Sequence, residues 1–106
     1  MTLTPDLNLL SAVEFDEEGF LNDPDDWTPE LGKSIAAALG LDLTDRHWDV
    51  IRFLRIEYTE AGSAPTLRRI SKAGGISTKE LYALFPGGPA KIAAKIAGLH
   101  KPTGCI

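Results

Sequence analysis

The sequence predicts a mainly α fold: a small orthogonal helical bundle of about five helices with a helix-turn-helix-like element, an N-terminal β-hairpin and a flexible C-terminal arm. Three observations lead there. Apolar residues recur three and four apart in successive segments between Leu31 and Ile96, the spacing that gathers side chains on one face of a helix. Thr28, Thr44 and Ser77 stand where helix caps belong, with Pro29, Asp45 and Glu80 in the turns that follow, residue types that suit a helix start. Gly40, the stretch 60–65, Gly74-Gly75 and Pro86-Gly87-Gly88 punctuate the pattern as breakers do. With 106 residues, 43% hydrophobic and 25% charged, the chain has the composition of one globular domain spanning 1–106.

Residues 1–10 are expected to be flexible. Val13-Glu14-Phe15 and Gly19-Phe20-Leu21 flank the acidic turn Asp16-Glu17-Glu18, which reads as a hairpin with Gly19 supplying a backbone angle other residues resist. A two-stranded hairpin is marginal alone in water, so Phe15, Phe20 and Trp27 are expected to pack on the helices. Asn22 to Asp26 reads as a loop. The first helix begins at Thr28-Pro29, places Leu31, Ile35, Ala38 and Leu39 on one face, and ends at Gly40. The second, capped by Thr44 with Asp45 at its positive end, carries Trp48, Ile51, Phe53, Leu54, Ile56 and Tyr58 around so much of its circumference that it is expected to be central. Thr66 to Ala73 forms a third with Leu67 and Ile70 inward. Ser77 caps a fourth, with Glu80 at the capping-box position and Leu81, Leu84 and Phe85 facing the core. Pro89 to Ala97 forms a fifth with the apolar stripe Ile92, Ala93 and Ile96.

The net charge of −4 argues against general polyanion binding, because neutralising phosphates takes a basic excess or a strongly basic face. One cysteine leaves no intrachain disulfide to form, so packing alone must hold the fold, and a reducing, cytoplasmic setting is expected. The opening Met1-Thr2-Leu3-Thr4-Pro5-Asp6 lacks the basic region of a signal peptide, and no apolar run approaches a membrane span. Cys105 is second from the end, not fourth as a prenyl anchor requires.

That cysteine follows Gly98-Leu99-His100-Lys101-Pro102-Thr103-Gly104, which reads as a mobile arm over 98–106. Pro102 stops a helix and Gly104 loosens the backbone. Residues from Leu99 to Ile106 would stretch to roughly 25 Å, enough to enter a partner's active site. A thiolate rather than a thiol attacks sulfur, and a cysteine pKa near ~8.5 leaves only a small ionised fraction at neutral pH. The terminal carboxylate opposes ionisation of Cys105, while Lys101 and His100 favour it. Lys91 and Lys95 lie four apart on one helical face and Lys101 continues toward the arm, a basic strip suited to docking an acidic partner or to an ordinary solvated face.

Several separated blocks carry a family resemblance: Glu14-Phe15-Asp16-Glu17-Glu18-Gly19-Phe20-Leu21, Trp27, His47 through Arg55, Leu81 through Lys91, and Lys95-Ile96-Ala97-Gly98-Leu99 through Lys101-Pro102-Thr103-Gly104-Cys105. In this order they resemble the DsrC/TusE family of sulfur-carrier proteins. The resemblance implies a sulfurtransferase that carries sulfane sulfur as a persulfide on Cys105, without a cofactor. It implies upstream donors of the TusBCD or DsrEFH kind. Downstream it implies a tRNA-thiolating enzyme or a sulfite-reductase or sulfur-oxidation assembly. In the DsrC proteins of dissimilatory sulfur metabolism a second cysteine lies eleven positions before the penultimate one, and here that position is Ala94. A single thiol cannot close an intramolecular disulfide, so the single-cysteine, TusE-like relay is the better match.

Two other classes stand beside the carrier. Residues 67–85 read as a helix-turn-helix and resemble the TetR-type regulator pattern, which would suit a DNA-binding regulator; yet residues 78–85 offer only Lys79 against Glu80, where base readout wants several donors, so direct nucleic-acid binding is not expected. The third is a family member whose arm merely plugs a partner's groove. His47 reads as structural rather than catalytic, and Cys105, His47 and His100 are not spaced as a metal site.

Overall fold

The computed structural model describes residues 7–102. Among these residues six helices run in order: α1 (Leu7–Ser11), α2 (Pro29–Ala38), α3 (Asp45–Ala61), α4 (Leu67–Gly74), α5 (Thr78–Leu84) and α6 (Pro89–Ile96), with a 3-10 turn at Pro24–Asp26. Local chemistry explains the boundaries. Thr28 Oγ1 accepts the Leu31 N–H at 3.1 Å, Thr66 Oγ1 the Arg69 N–H at 3.2 Å, and Ser77 Oγ the Glu80 N–H at 3.1 Å, each satisfying a donor that a helix start leaves open. Gly62 closes α3 in the left-handed region at φ +80°.

The five expected helices form, with a sixth inside the segment expected to be flexible. In α1 the Ser11 hydroxyl donates to Leu7 O at 2.7 Å, and the helix packs on α2 with Leu9 and Leu10 joining the edge of the core.

The expected β-hairpin does not form. No strand occurs among the described residues, only one isolated antiparallel bridge between Phe15 and Leu21. Two backbone bonds frame that bridge, from Asp16 N–H to Phe20 O at 2.7 Å and from Asn22 N–H to Glu14 O at 2.9 Å. The pairing stops there because Asp16 Oδ1 takes the N–H groups of Glu18 and Phe20, both at 2.9 Å, closing the loop through a side chain. Phe20 and Leu21 are still fully buried, as the hydrophobic pattern required.

The centre of the core lies on α6, not on the long α3. The short α6 packs against α2, α3, α4 and α5. Ala90, Ala93 and Ala94 are at most 1% exposed, and such small side chains let neighbouring helices approach closely. On α3, Val50, Ile51 and Leu54 are buried, whereas Ile56 is 58% exposed. On α2 the inward face is Leu31, Gly32, Ile35 and Ala36, and Ala38 and Leu39 lie outside it. Gly32 sets that rotation: a Cβ there would lie 3.1 Å from the Trp27 ring and 3.2 Å from Ile96 O.

His47 is structural, as expected. Its Nδ1 accepts the Thr44 N–H at 3.0 Å, so the neutral ring carries its hydrogen on Nε2, which donates to Leu84 O at 2.8 Å. Phe85 meets the ring edge-on, with centroids 5.1 Å apart. The start of α3 is thereby tied to the end of α5.

Candidate functional site

Every α-helix ends with four carbonyls that the helix itself cannot satisfy. At the end of α6, where the chain turns toward Cys105, all four find partners. Gly98 adopts φ +72°; its N–H donates to Lys95 O at 3.2 Å and the Leu99 N–H donates to Ala94 O at 3.0 Å, the paired closure of a Schellman turn. The Ile96 carbonyl accepts the Trp27 indole Nε1–H at 2.7 Å, and the Ala97 carbonyl accepts Arg55 Nη1 at 2.9 Å.

Arg55 does more than cap. Both its Nη1 and Nη2 donate to Pro24 O at 3.2 Å, and its guanidinium lies 4.5 Å over the Trp27 ring, a cation–π stack. Burial pushes the Arg55 pKa down from its ordinary value, with the charges of Asp25 and Tyr58 opposing. The geometry is a clamp. A Cβ at Gly98 would fall 2.7 Å from Trp27 Cβ and Cγ, so only glycine fits both the angle and the space.

Beyond the turn the chain stays attached, which shortens the arm expected over 98–106. Leu99 is fully buried, His100 Nε2 donates to Asn22 O at 2.7 Å, Lys101 Nζ pairs with Glu18 at 3.0 Å, and Pro102 is buried. The left-handed turn at Gly98 sends residues 99–102 back across the 14–22 loop, whose carbonyl and carboxylate groups hold them. Pro102, expected to serve flexibility, serves packing. Gly104 and Cys105 lie outside the described residues.

The expected tuning and docking residues divide between two places. Lys95 reaches the same loop from α6, its Nζ 5.3 Å from the centroid of Phe20 and beside Gly19, while Lys101 reaches it from the strap formed by residues 99–102. His100 completes this junction. Lys91 sits one turn earlier on α6, beside Gly88, outside it. Ala94 is fully buried, its methyl in the core. Among the described residues no group of His, Asp and Glu is arranged to hold a metal, and no helix is long and apolar enough to cross a membrane.

The helix-turn-helix forms from α4 and α5, which pack together. Its polar residues are partly used up: Arg69 pairs with Glu57 at 2.9 Å and Glu80 with Arg46 at 2.8 Å. Glu80 therefore caps α5 only through its N–H, and its carboxylate goes to Arg46 instead of completing the expected capping box. Among the described residues α5 offers Lys79 as its one cation.

The clamp residues were not singled out by sequence as a unit. A signal existed: Arg55 follows Ile51 by four positions and Leu54 by one, so it falls on the buried face of α3, where a cation needs acceptors.

Comparison with known proteins agrees over nearly the whole chain. The family described as DsrC like protein matches residues 10–106. The gamma subunit of dissimilatory-type sulfite reductase from Nitratidesulfovibrio vulgaris (Hildenborough) is 47% identical over 96 residues, covering 90% of this chain and 91% of that protein. The sulfurtransferase TusE of Yersinia pseudotuberculosis is 41% identical over 101 residues, covering 89% and 94%. The solution structure of Allochromatium vinosum DsrC superposes with a TM-score of 0.81 at 46% identity, covering 89% of this chain and 90% of that one.

Proposed function

The chain belongs to the DsrC-like family, and from this we propose that it is a sulfur-relay protein carrying sulfane sulfur as a persulfide on Cys105. The penultimate cysteine behind a built root is the observation that carries the reading. A carrier needs a thiol that leaves its own domain and a domain that does not unravel when it does. The Schellman turn, Trp27 and Arg55 supply the second requirement. With Pro102 packed, Cys105 lies three residues beyond the last described contact, a reach of about 10 Å.

The transfer balances without an external oxidant. The Cys105 thiolate attacks the outer sulfur of a donor persulfide; a new Sγ–S bond forms, the donor S–S bond breaks, and its electron pair stays on the donor thiolate. Delivery repeats the step with an acceptor thiolate as nucleophile: it attacks the outer sulfur, the Sγ–S bond breaks, and its electron pair returns to the Cys105 thiolate. One thiol suffices for both, and Ala94 leaves no second thiol on α6 for an internal disulfide. The donor is a TusBCD- or DsrEFH-like complex and the acceptor a tRNA-thiolating enzyme or a sulfite-reductase or sulfur-oxidation assembly, in the cytoplasm where a lone thiol stays reduced.

Intact mass after incubation with inorganic polysulfide tests the reading. The expected result is a gain of one sulfur atom, removed by reductant and absent in Cys105→Ser. Wild-type protein that gains nothing overturns it.

A further inference from the structure

The 14–22 loop that holds the strap also forms one wall of an apolar groove. Its other walls are α1 and α2, and a cleft of about 610 Å³ runs between Leu7, Leu10, Phe15, Ile35, Leu39 and Lys95. Leu7 is 72% and Leu39 44% exposed, although a folded chain gains by covering such side chains. Lys95 stands at the rim with its ammonium beside Phe20 and Gly19 and no carboxylate partner among the described residues.

The position of the groove limits what covers it. Gly19 lines it, Glu18 next in the chain pairs with Lys101, and Pro102 follows Lys101. Cys105 lies three residues further on, within about 10 Å of Pro102. A protein that takes this thiol into its own active site comes close to the 14–22 loop, and the groove is an exposed apolar surface beside that loop. We propose that the groove is the docking seat of the sulfur-relay partner, filled by an apolar segment of that partner whose Asp or Glu carboxylate meets Lys95. This rests on the carrier reading and adds where the partner sits. An apolar centre with a charge at its rim is the anatomy of a specific contact between proteins.

The test compares two routes of loading Cys105 in the full chain: inorganic polysulfide, which needs no docking, and a persulfidated donor complex of the TusBCD kind. Leu39→Asp puts a charge into the groove at a 44% exposed position and Lys95→Glu reverses the rim charge, with thermal melts of each variant checking that the fold persists; Tyr82→Asp, on the exposed face of α5, is the control. We expect Leu39→Asp and Lys95→Glu to slow loading from the complex by about ten-fold or more while polysulfide loading stays within about two-fold and the control behaves as wild type. Wild-type rates from the complex in both variants overturn the seat and leave the carrier standing. So does a wild-type dimer that Leu39→Asp converts to monomer, since the groove then belongs to a second copy. Equal slowing of both routes also overturns the seat, because it places the defect at the thiol. Wild-type protein that accepts sulfur by neither route removes the carrier reading and the seat with it.

Discussion

The two ends of α6 and its surroundings are built differently. At the C-terminal end, around Trp27, Arg55 and Gly98, polar groups from residues far apart in the chain meet carbonyls in a partly buried setting: Trp27 and Ile96 are 69 positions apart, and Arg55 and Ala97 are 42. On the helix-turn-helix side, charged residues meet at the surface, with Arg46 44% and Glu80 38% exposed. Buried polar contacts cost much when broken and so fix one geometry, whereas exposed ion pairs are screened and contribute little. The molecule has placed its geometric precision at the root of the segment that bears the thiol.

The largest effect is expected at Gly98. Gly98→Ala combines a disfavoured backbone angle with a clash against Trp27, and urea unfolding should show a loss of about 2–4 kcal/mol. Next comes Arg55→Leu, which leaves the Ala97 carbonyl without its donor, leaves Pro24 O with only the Trp27 N–H, and removes the stack on Trp27; a loss of about 1–3 kcal/mol is expected, with faster amide exchange at residues 98–101. Trp27→Phe keeps an aromatic face under Arg55 but loses the indole N–H bond to Ile96 O and part of the indole's packing, for about 1–2 kcal/mol. If surface variants at Arg46 or Arg69 destabilise as much as Arg55→Leu, the contrast between the regions fails.

The smallest effect is one of pH. The Glu80 carboxyl is held below its ordinary range, first by its hydrogen bond to Arg46, against an opposing burial contribution, and further by the Arg46 charge. A depressed folded-state pKa means that the unfolded chain binds the proton more readily, so this contribution is complete above the ordinary glutamate range and disappears as pH falls through the folded value. Thermal melts of Glu80→Gln should therefore differ from wild type at neutral pH and converge with it in acid. A difference that grows on acidification contradicts the pairing.

Helix boundaries were legible in the sequence because their causes are local: Thr28, Thr66 and Ser77 each cap through a bond three residues away. Alternation around Asp16 suggested strands because it cannot separate a ladder from a loop closed by a carboxylate. The arm was read as free from Pro102 and Gly104, yet Gly98-Leu99 already carried the Schellman pattern of a left-handed glycine followed by an apolar residue. Centrality was misplaced on α3 because bulky residues mark a helix as apolar, while the helix that touches most others here is the alanine-rich α6. The expectation for Cys105 rests on the family pattern around it, and that residue lies outside the described ones. The clamp was not, since nothing in the sequence near Trp27 announces a carbonyl at Ile96.

Single-turnover transfer of isotopically labelled sulfur tests the central claim most directly. If Cys105 is the carrier, label supplied on a persulfidated donor appears on Cys105 and then in the downstream acceptor, and Cys105→Ser stops it at the donor. Label that reaches the acceptor at the same rate through the Cys105→Ser protein contradicts the claim.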